Sequence, residues 1–545
     1  MLVRTPGATY DELVTDFRWT LPQRFNMGAA CSDRHPPSAP ALIELGEDRS
    51  LREYSFGDLA MLSNRLANGL AGLGVKRGDR VAIVLPQGVE TGIAHLAIYK
   101  LGAIAVPMSG LLGPEALSFR LADCDARLML TDAAHLEPLA TIAETMDGTE
   151  LVCVDGVSPP HHGLWEVVQD SSAQFTPAVS DPDTPALLIY TSGTTGPPKG
   201  ALHAHRVLLG HLPGFELSHE FFPQENDRFW TPADWAWIGG LMDALIPSWY
   251  HGRTVVGAAR MGFDPEWALW LMAEHGVRNA FLPPTALKMI RQAQPEPGQV
   301  NLRTVMSGGE VLGEEMLTWG REVLGVTINE IYGQTEANYV VGNCASVWEV
   351  RPGSMGRPYP GHEVAVLDAD SAPAPPGEIG EVAVRAPNPV IFLRYWAQPD
   401  ATREKFDARG RWMRTGDLAT ADEEGYLRYE SRADDIINSA GYRIGPNEVE
   451  QCLMRHPGVA MAAVIGVPDQ IRGQAVKAFV VLAEGREAPT EIEVEIQQLV
   501  KRRLAAYAYP RELEIVDGLP LTATGKIRRT ELREREAGRR KEAER

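Results

Sequence analysis

From Tyr54 to Asp132 the chain alternates between two hydrophobic periods, and this alternation restricts its fold more than any other feature. A helical period over Phe56 to Leu73 ends at Gly74, and the apolar run Val81-Ala82-Ile83-Val84-Leu85 follows the turn at Gly78-Asp79. The pattern repeats. A helix over Gly88 to Leu101 leads into Ala103-Ile104-Ala105-Val106-Pro107, and another over Pro114 to Asp123 leads into Arg127-Leu128-Met129-Leu130. Strands that alternate with helices imply right-handed βαβ units around a parallel sheet, so the fold class is α/β. With 545 residues the chain exceeds one ordinary core, and a large domain followed by a small one is expected.

A further apolar run, Leu187-Leu188-Ile189-Tyr190, breaks into Thr191-Ser192-Gly193-Thr194-Thr195-Gly196-Pro197-Pro198-Lys199-Gly200. Glycines let backbone N–H groups approach an anion, the four hydroxyls can donate to phosphate oxygens, and Lys199 adds a positive charge. The spacing differs from that of a P-loop NTPase: the lysine lies six residues after Gly193, Gly200 follows it in place of Ser or Thr, and two prolines forbid an immediate helix. If Leu187 to Tyr190 is another strand of the parallel sheet, the loop lies at a strand's C-terminal end, where such sheets bind ligands. These residues resemble the signature loop of the adenylate-forming superfamily, which includes acyl-CoA synthetases, luciferases and peptide-synthetase adenylation domains.

The net charge of −20 argues against nucleic acid or an anionic membrane as the main partner, so anionic ligands must be caught locally. Five scattered cysteines, with no C-x-x-C pair and no metal spacing, read as reduced cytosolic thiols. The most apolar stretch, Ile93 to Met108, is interrupted by His95, Lys100 and Gly102, and Met1 to Pro40 has no apolar leader. A cytoplasmic protein with no membrane insertion is expected.

Downstream, further elements resemble the same superfamily in order. Trp230 to Leu241 is dense in tryptophan, for which core packing is the default, but the resemblance puts Trp237, Ile238 and Gly239 at the acyl pocket. Ser307-Gly308-Gly309-Glu310 matches a segment that contacts base and ribose, with Gly309 and Glu310 as binding residues. Tyr332-Gly333-Gln334-Thr335-Glu336 resembles the Y-G-x-T-E element. An aromatic ring can stack on adenine, a threonine can donate to the α-phosphate, and a carboxylate such as Glu336 can hold Mg²⁺. The bland alternative is that Thr-Glu opens a helix.

Thr415-Gly416-Asp417 resembles the T-G-D element, whose aspartate accepts from both ribose hydroxyls. Arg432 is implied at the nucleotide phosphates or ribose, Asp434 at a hinge, and Gly441, Tyr442 and Arg443 beside a pantetheine tunnel. Lys526, in Thr522-Ala523-Thr524-Gly525-Lys526, stands in the place of the catalytic lysine. The expected architecture is therefore an AMP-binding adenylation domain over 1–431, made of parallel-sheet layers plus a small β-barrel-like part. A mobile α+β domain over 432–545 follows, whose charged end from Glu531 reads as a solvated helix face.

The resemblance implies an AMP-forming acyl-CoA synthetase that joins a carboxylic acid to CoA through an acyl-adenylate, with ATP, Mg²⁺ and coenzyme A. Thr191, Lys199, Glu336 and Lys526 would be its catalytic residues, and Thr191, Ser192, Gly193, Thr194, Thr195, Gly196, Lys199, Tyr332, Gly333, Gln334 and Thr335 would surround the nucleotide. Acetyl-CoA synthetases carry tryptophan where this chain has Gly333. Glycine is therefore expected to leave the pocket open for a longer acyl group, and the region looks closest to medium-chain acyl-CoA synthetases. Short branched or aromatic acids, and transfer to a carrier protein in place of CoA, are the alternatives. Acetylation of Lys526 by a lysine acetyltransferase, reversed by a deacetylase, is an implied control point.

Overall fold

The computed structural model describes the chain except for residues 1–5, 137, 138, 140–148, 156–160, 192–196, 261, 311, 434, 436, 440, 441, 470–472, 484–491, 504–507, 523–525, 544 and 545, and except for the side chains of 438, 442, 443, 448, 502 and 541–543. Two compact units emerge. One comprises 1–193, 197–364 and 384–413, and the other chiefly 365–383 and 414–545. The expected boundary at 431/432 falls inside the second unit.

In the first unit the alternating pattern forms the elements it predicts. Helices Phe56–Gly72, Val89–Leu101 and Pro114–Cys124 alternate with strands Arg80–Val84, Ile104–Pro107 and Ala126–Thr131, which pair in parallel. Local chemistry sets the ends. Ser55 caps the first helix, its hydroxyl accepting from the Asp58 N–H while the Asp58 carboxylate accepts from the Ser55 N–H. Proline at the first turn opens the third. These strands belong to an eight-stranded sheet in the order 394–395, 199–204, 185–191, 104–107, 80–84, 126–131, 150–153, 162–163. A nine-stranded sheet runs 357–358, 337–342, 328–334, 304–308, 279–281, 228–230, 254–258, 40–45, 51–55.

Helix Val89–Leu101 is buried on almost every face, which explains its largely apolar sequence. Lys100 within it is fully buried, and its ammonium donates to Asp33 (2.6 Å), Asn64 (2.8 Å) and Ser63 (2.9 Å). The charge is thus compensated. Among the described residues no helix is long and apolar enough to cross a membrane, and all five cysteines are buried and free.

The second unit contains most of a four-stranded sheet, Val364–Leu367, Gly380–Arg385, Trp412–Ala421 and Leu427–Arg432 in that order. Beyond it lies an α+β fold. Strands Val459–Asp469 and Gly473–Leu482 pair antiparallel, and helices Pro446–Leu453 and Ile492–Arg503 cover a core of Ile437, Val449, Leu453, Val464, Val480 and Ile496.

The charged C-terminal helix, Arg529–Ala543, corrects the reading of a solvated face. Leu532 is buried against Ile465 and Phe479, and Glu536 is buried and accepts from Lys477 (2.7 Å). Alternating charges hid a docked face, because long side chains bury their stems while their heads pair. At Lys100 a partner can be removed without touching the site. Asp33→Ala, which strands a buried ammonium, should cost about 3–5 kcal/mol, read as a fall in the urea midpoint at unchanged m.

Candidate active site

Strand Pro185–Thr191 runs parallel to Ile104–Pro107 on one side and antiparallel to Lys199–Ala204 on the other, with Thr191 opposite Lys199. The glycine- and hydroxyl-rich loop is therefore the connection of a hairpin. Ser192, Gly193, Thr194, Thr195 and Gly196 lie outside the described residues. Thr191 and Lys199 frame the loop, and the Thr191 hydroxyl donates to the Lys199 carbonyl at 3.3 Å. Lys199 opens a strand, which is what two preceding prolines permit.

Residues 328–334 and 337–342 form a second antiparallel hairpin, with Thr335 and Glu336 as its two-residue turn. Thr-Glu is thus a strand reversal, and the alternative of a helix start is excluded. Glu336 is buried, and one carboxylate oxygen accepts from the Tyr395 hydroxyl. Tyr395 reaches this place because strand Arg394–Tyr395 pairs with Lys199–Ala204, Tyr395 standing opposite Ala201. Its ring centroid lies 5.3 Å from the Lys199 ammonium, within cation–π range. One tyrosine therefore touches both the lysine of the first motif and the acid of the second. Sequence reasoning missed it: a lone aromatic before Trp396 carries no signal until strand pairing places it.

Gln334 accepts from Lys405 (3.3 Å), and Tyr332 is half-buried near the end of its strand. Strand Thr304–Gly308 lies parallel to this one, pairing Ser307 with Glu330, and leads into Gly309 and Glu310. The Glu310 carboxylate lies 3.9 Å from the Lys288 ammonium. Glu330 accepts from the Leu312 N–H (3.2 Å), and burial pushes its carboxyl up to about 8.

The expected acyl wall divides by burial. Trp230 and Trp235 are core, as the default for tryptophan holds, whereas Trp237, Ile238 and Gly239 are half-buried at the start of a short helix. Gly333 does not face open space, contrary to the expectation. A Cβ there would meet the Asn338 Cα and the Tyr339 nitrogen at 2.6 Å, both main-chain atoms across the hairpin bulge. Glycine is required because two backbones approach. At Gly239 a Cβ would fall 2.7 Å from the Phe281 ring. Asn338 also donates to Asp243 (2.5 Å), tying the hairpin to the helical segment after Gly239. Burial raises the Asp243 carboxyl well above its ordinary range.

In the second unit Asp417 and Arg432 are partners across adjacent strands, and Arg432 donates to Asp417 (3.1 Å) and to the Thr415 carbonyl (3.2 Å). Glu381 fixes the intervening Gly416 N–H (2.8 Å). Asp434 and Gly441 lie outside the described residues, as do the side chains of Tyr442 and Arg443, whose backbone forms strand Tyr442–Ile444. Lys526 is exposed on a loop stitched at its base: its N–H donates to the Thr522 hydroxyl (3.0 Å) and its carbonyl accepts from the Thr522 N–H (2.7 Å).

The sequence profile described as AMP-binding enzyme matches residues 29–396, and that of the AMP-binding enzyme C-terminal domain matches 448–526. The chain belongs to the AMP-binding enzyme family. Its relatives are acyl-CoA synthetases, which makes it an AMP-forming acid–thiol ligase that uses ATP and CoA. An acetyl-coenzyme A synthetase of Bacillus subtilis is 34% identical, over 88% of this chain and 85% of the relative. The mitochondrial acyl-coenzyme A synthetase ACSM3 of Mus musculus is 31% identical, over 97% and 93%. Among solved structures, an anthranilate CoA ligase in complex with anthranoyl-AMP superposes with a TM-score of 0.86 at 30% identity, covering 96% of this chain and 99% of that one.

Two variants probe the synthetase's second hairpin. Gly333→Ala should lower adenylate formation by about 10–100-fold with every acid and leave acid preference unchanged, because the shifted turn carries Thr335 and Glu336; pyrophosphate exchange across an acid series reads this, and a changed preference at full rate would refute it. Between pH 4.5 and about 8 folded Glu330 keeps a proton that the unfolded chain has lost, so stability falls as pH rises through that window. Glu330→Gln removes this slope, and its stability relative to wild type should rise between pH 5 and 8 by something on the order of a few kcal/mol in urea titrations.

Proposed function

We propose that the synthetase activates a medium-chain carboxylic acid, with the residues named above in the roles their chemistry suits. The observation that carries the assignment of roles is the contact set Lys199–Tyr395–Glu336, which joins the two strongest motifs through one side chain. The carboxylate oxygen attacks the α-phosphorus of ATP, pyrophosphate leaves, and the acyl-adenylate then passes its acyl group to the CoA thiol. Two anions must meet in the first step, and their repulsion is the electrostatic problem.

Lys199 and the hydroxyls of Thr191, Ser192, Thr194 and Thr195 hold the departing phosphates. Thr335 donates to the α-phosphate, Tyr332 covers the adenine, and Asp417, oriented by Arg432, accepts from the ribose hydroxyls. Lys526 bridges the attacking carboxylate and the α-phosphate. Glu336 suits Mg²⁺: it is a buried carboxylate whose partner Tyr395 is a neutral donor, and among the described residues no cluster of three ligating side chains competes with it. One carboxylate plus substrate oxygens and water is how Mg²⁺ is usually held, and the ion would neutralise triphosphate charge.

For the second step we place the domain boundary at 431/432 and the pivot at Asp434, with Gly441, Tyr442 and Arg443 beside the incoming CoA. Lys526, exposed on its loop, is also open to a lysine acetyltransferase, which would erase its charge. A cytoplasmic location fits this reading.

The medium-chain assignment is supported by the full-length likeness to the mouse enzyme. A second reading, an aromatic acid, is favoured by the likeness to the anthranilate ligase and by the buried polar pair Asp243–Asn338 beside Gly333 and Gly239. Pyrophosphate release with ATP, Mg²⁺ and CoA across straight, branched and aromatic acids separates them. Six to ten carbons should give the peak, at about fourfold per methylene until the pocket fills, with AMP and not ADP formed. Lys526→Ala should reduce adenylate formation by at least ~10²–10³ while CoA attack on supplied acyl-adenylate survives. Equal loss of both half-reactions would remove the lysine from its role.

A further inference from the structure

We propose that Arg529 and Arg533 are positioning residues that fasten the Lys526 loop to Asp435, so that motion of the chain at 434 carries the lysine as one rigid arm. The inference rests on the reading of Lys526 and Asp434 given under the proposed function.

Lys526 stands three residues before helix Arg529–Ala543. Its loop is held on both sides. Beyond the Thr522 bonds, Leu521 pairs with Ile527 as an isolated β-bridge, and the Arg528 N–H donates to the Pro520 carbonyl (2.8 Å). Ile527 packs against the cluster that contains Leu532, Ile465 and Phe479. The lysine is therefore held by the pairing of residues 520–522 with 526–528, and the latter run on into the helix.

The first turns of that helix grip the chain after the pivot. The Arg529 guanidinium straddles two acids: Nε donates to Glu450 Oε1 (3.1 Å), Nη2 donates to Glu450 Oε2, and Nη1 lies 3.6 Å from Asp435 Oδ2. Arg533, one helical turn on, donates to the other Asp435 oxygen. Glu450 accepts as well from the Val464 N–H (2.7 Å), which anchors the set in the long strand Val459–Asp469 of the small domain. Side-chain exposure is 5% for Glu450, 12% for Asp435 and 19% for Arg529. Surface ion pairs hold little, but a dehydrated bidentate arginine is directional and costly to leave half-made.

The Asp435 carboxylate is thus fixed to the lysine arm by both arginines, while its backbone N–H donates to the Arg432 carbonyl (3.1 Å) at the end of the strand that precedes the pivot, Leu427–Arg432, a bond that a rotation must break. A backbone change at 434 must move Asp435, the two arginines and Lys526 together. Without the clasp, the lysine would fluctuate on its loop after each rotation. The first half-reaction needs that lysine in register, and the second does not.

The test uses the full-length enzyme and both half-reactions. Arg529→Gln should lower kcat for adenylate formation by tenfold or more with KM for ATP and acid within twofold, while CoA attack on supplied acyl-adenylate stays within twofold. Arg529→Lys, which restores charge without the fork, should recover part of the loss. Arg533→Gln, which touches Asp435 alone among these acids, should act in the same direction and serves if the Arg529 variant fails to fold. Proportional loss of both half-reactions would mean a merely structural clasp and overturn the proposal, as would full adenylation in both variants. Lys526→Ala run alongside separates the two readings: if it is inactive in adenylation and the arginine variants are normal, the clasp alone fails, and if it is active, the lysine assignment fails and the clasp falls with it.

Discussion

Strand Pro185–Thr191 joins a parallel neighbour on one side and an antiparallel one on the other, and this change of direction governs the first unit. Parallel strands must be joined by crossovers, whereas antiparallel ones allow the chain to reverse at once. The reversal puts a short loop between Thr191 and Lys199 and returns the chain along the same sheet. The returning strand then recruits Arg394–Tyr395 as its own partner, which brings Tyr395 to Lys199. The hairpin of Ile328–Gln334 and Ala337–Gly342 repeats the device in the other sheet, and Glu336 in its turn meets the same tyrosine. Register therefore does the positioning that a flexible loop could not, because each strand partner fixes its neighbour to within one residue.

Charge is handled by local pairing. With a net charge of −20 the molecule offers no global attraction for ATP or an acid, so cations must be held where anions arrive. Lys100 shows the cost of burial and its remedy, three partners within 2.9 Å. Glu336 is buried and accepts from the neutral hydroxyl of Tyr395. Asp417 and Arg432 sit between these cases, as a partly buried pair across adjacent strands. The Glu450–Arg529–Asp435–Arg533 set is purely internal, and its work is mechanical.

Much of this was legible in the sequence. Period alternation located three helices and their strands to within a residue or two, because burial of one face imposes its period on the chain wherever the element lies. The motif residues could be proposed from the sequence because phosphate, ribose and metal each call for particular partner groups. Gly333 misled for an instructive reason: a glycine signals a place where a side chain does not fit, and the sequence does not say whether a ligand or the chain's own backbone fills it. Here Asn338 and Tyr339 do. The charged tail misled likewise, since alternation of sign looks the same on a solvated face and on one that pairs with acids elsewhere.

The sequence by itself determined the α/β class, the order of the motifs and the chemistry each residue type can perform, all of which depend on local period and side-chain identity. Tertiary structure alone decided that Tyr395 joins Lys199 to Glu336, that Asn338 and Asp243 back the glycine turn, and that Arg529 and Arg533 hold Asp435. Those contacts link residues 59 to 196 positions apart, and no propensity or spacing rule operates over such distances. They arise only when strands pair and helices dock, and then burial makes the pairing obligatory.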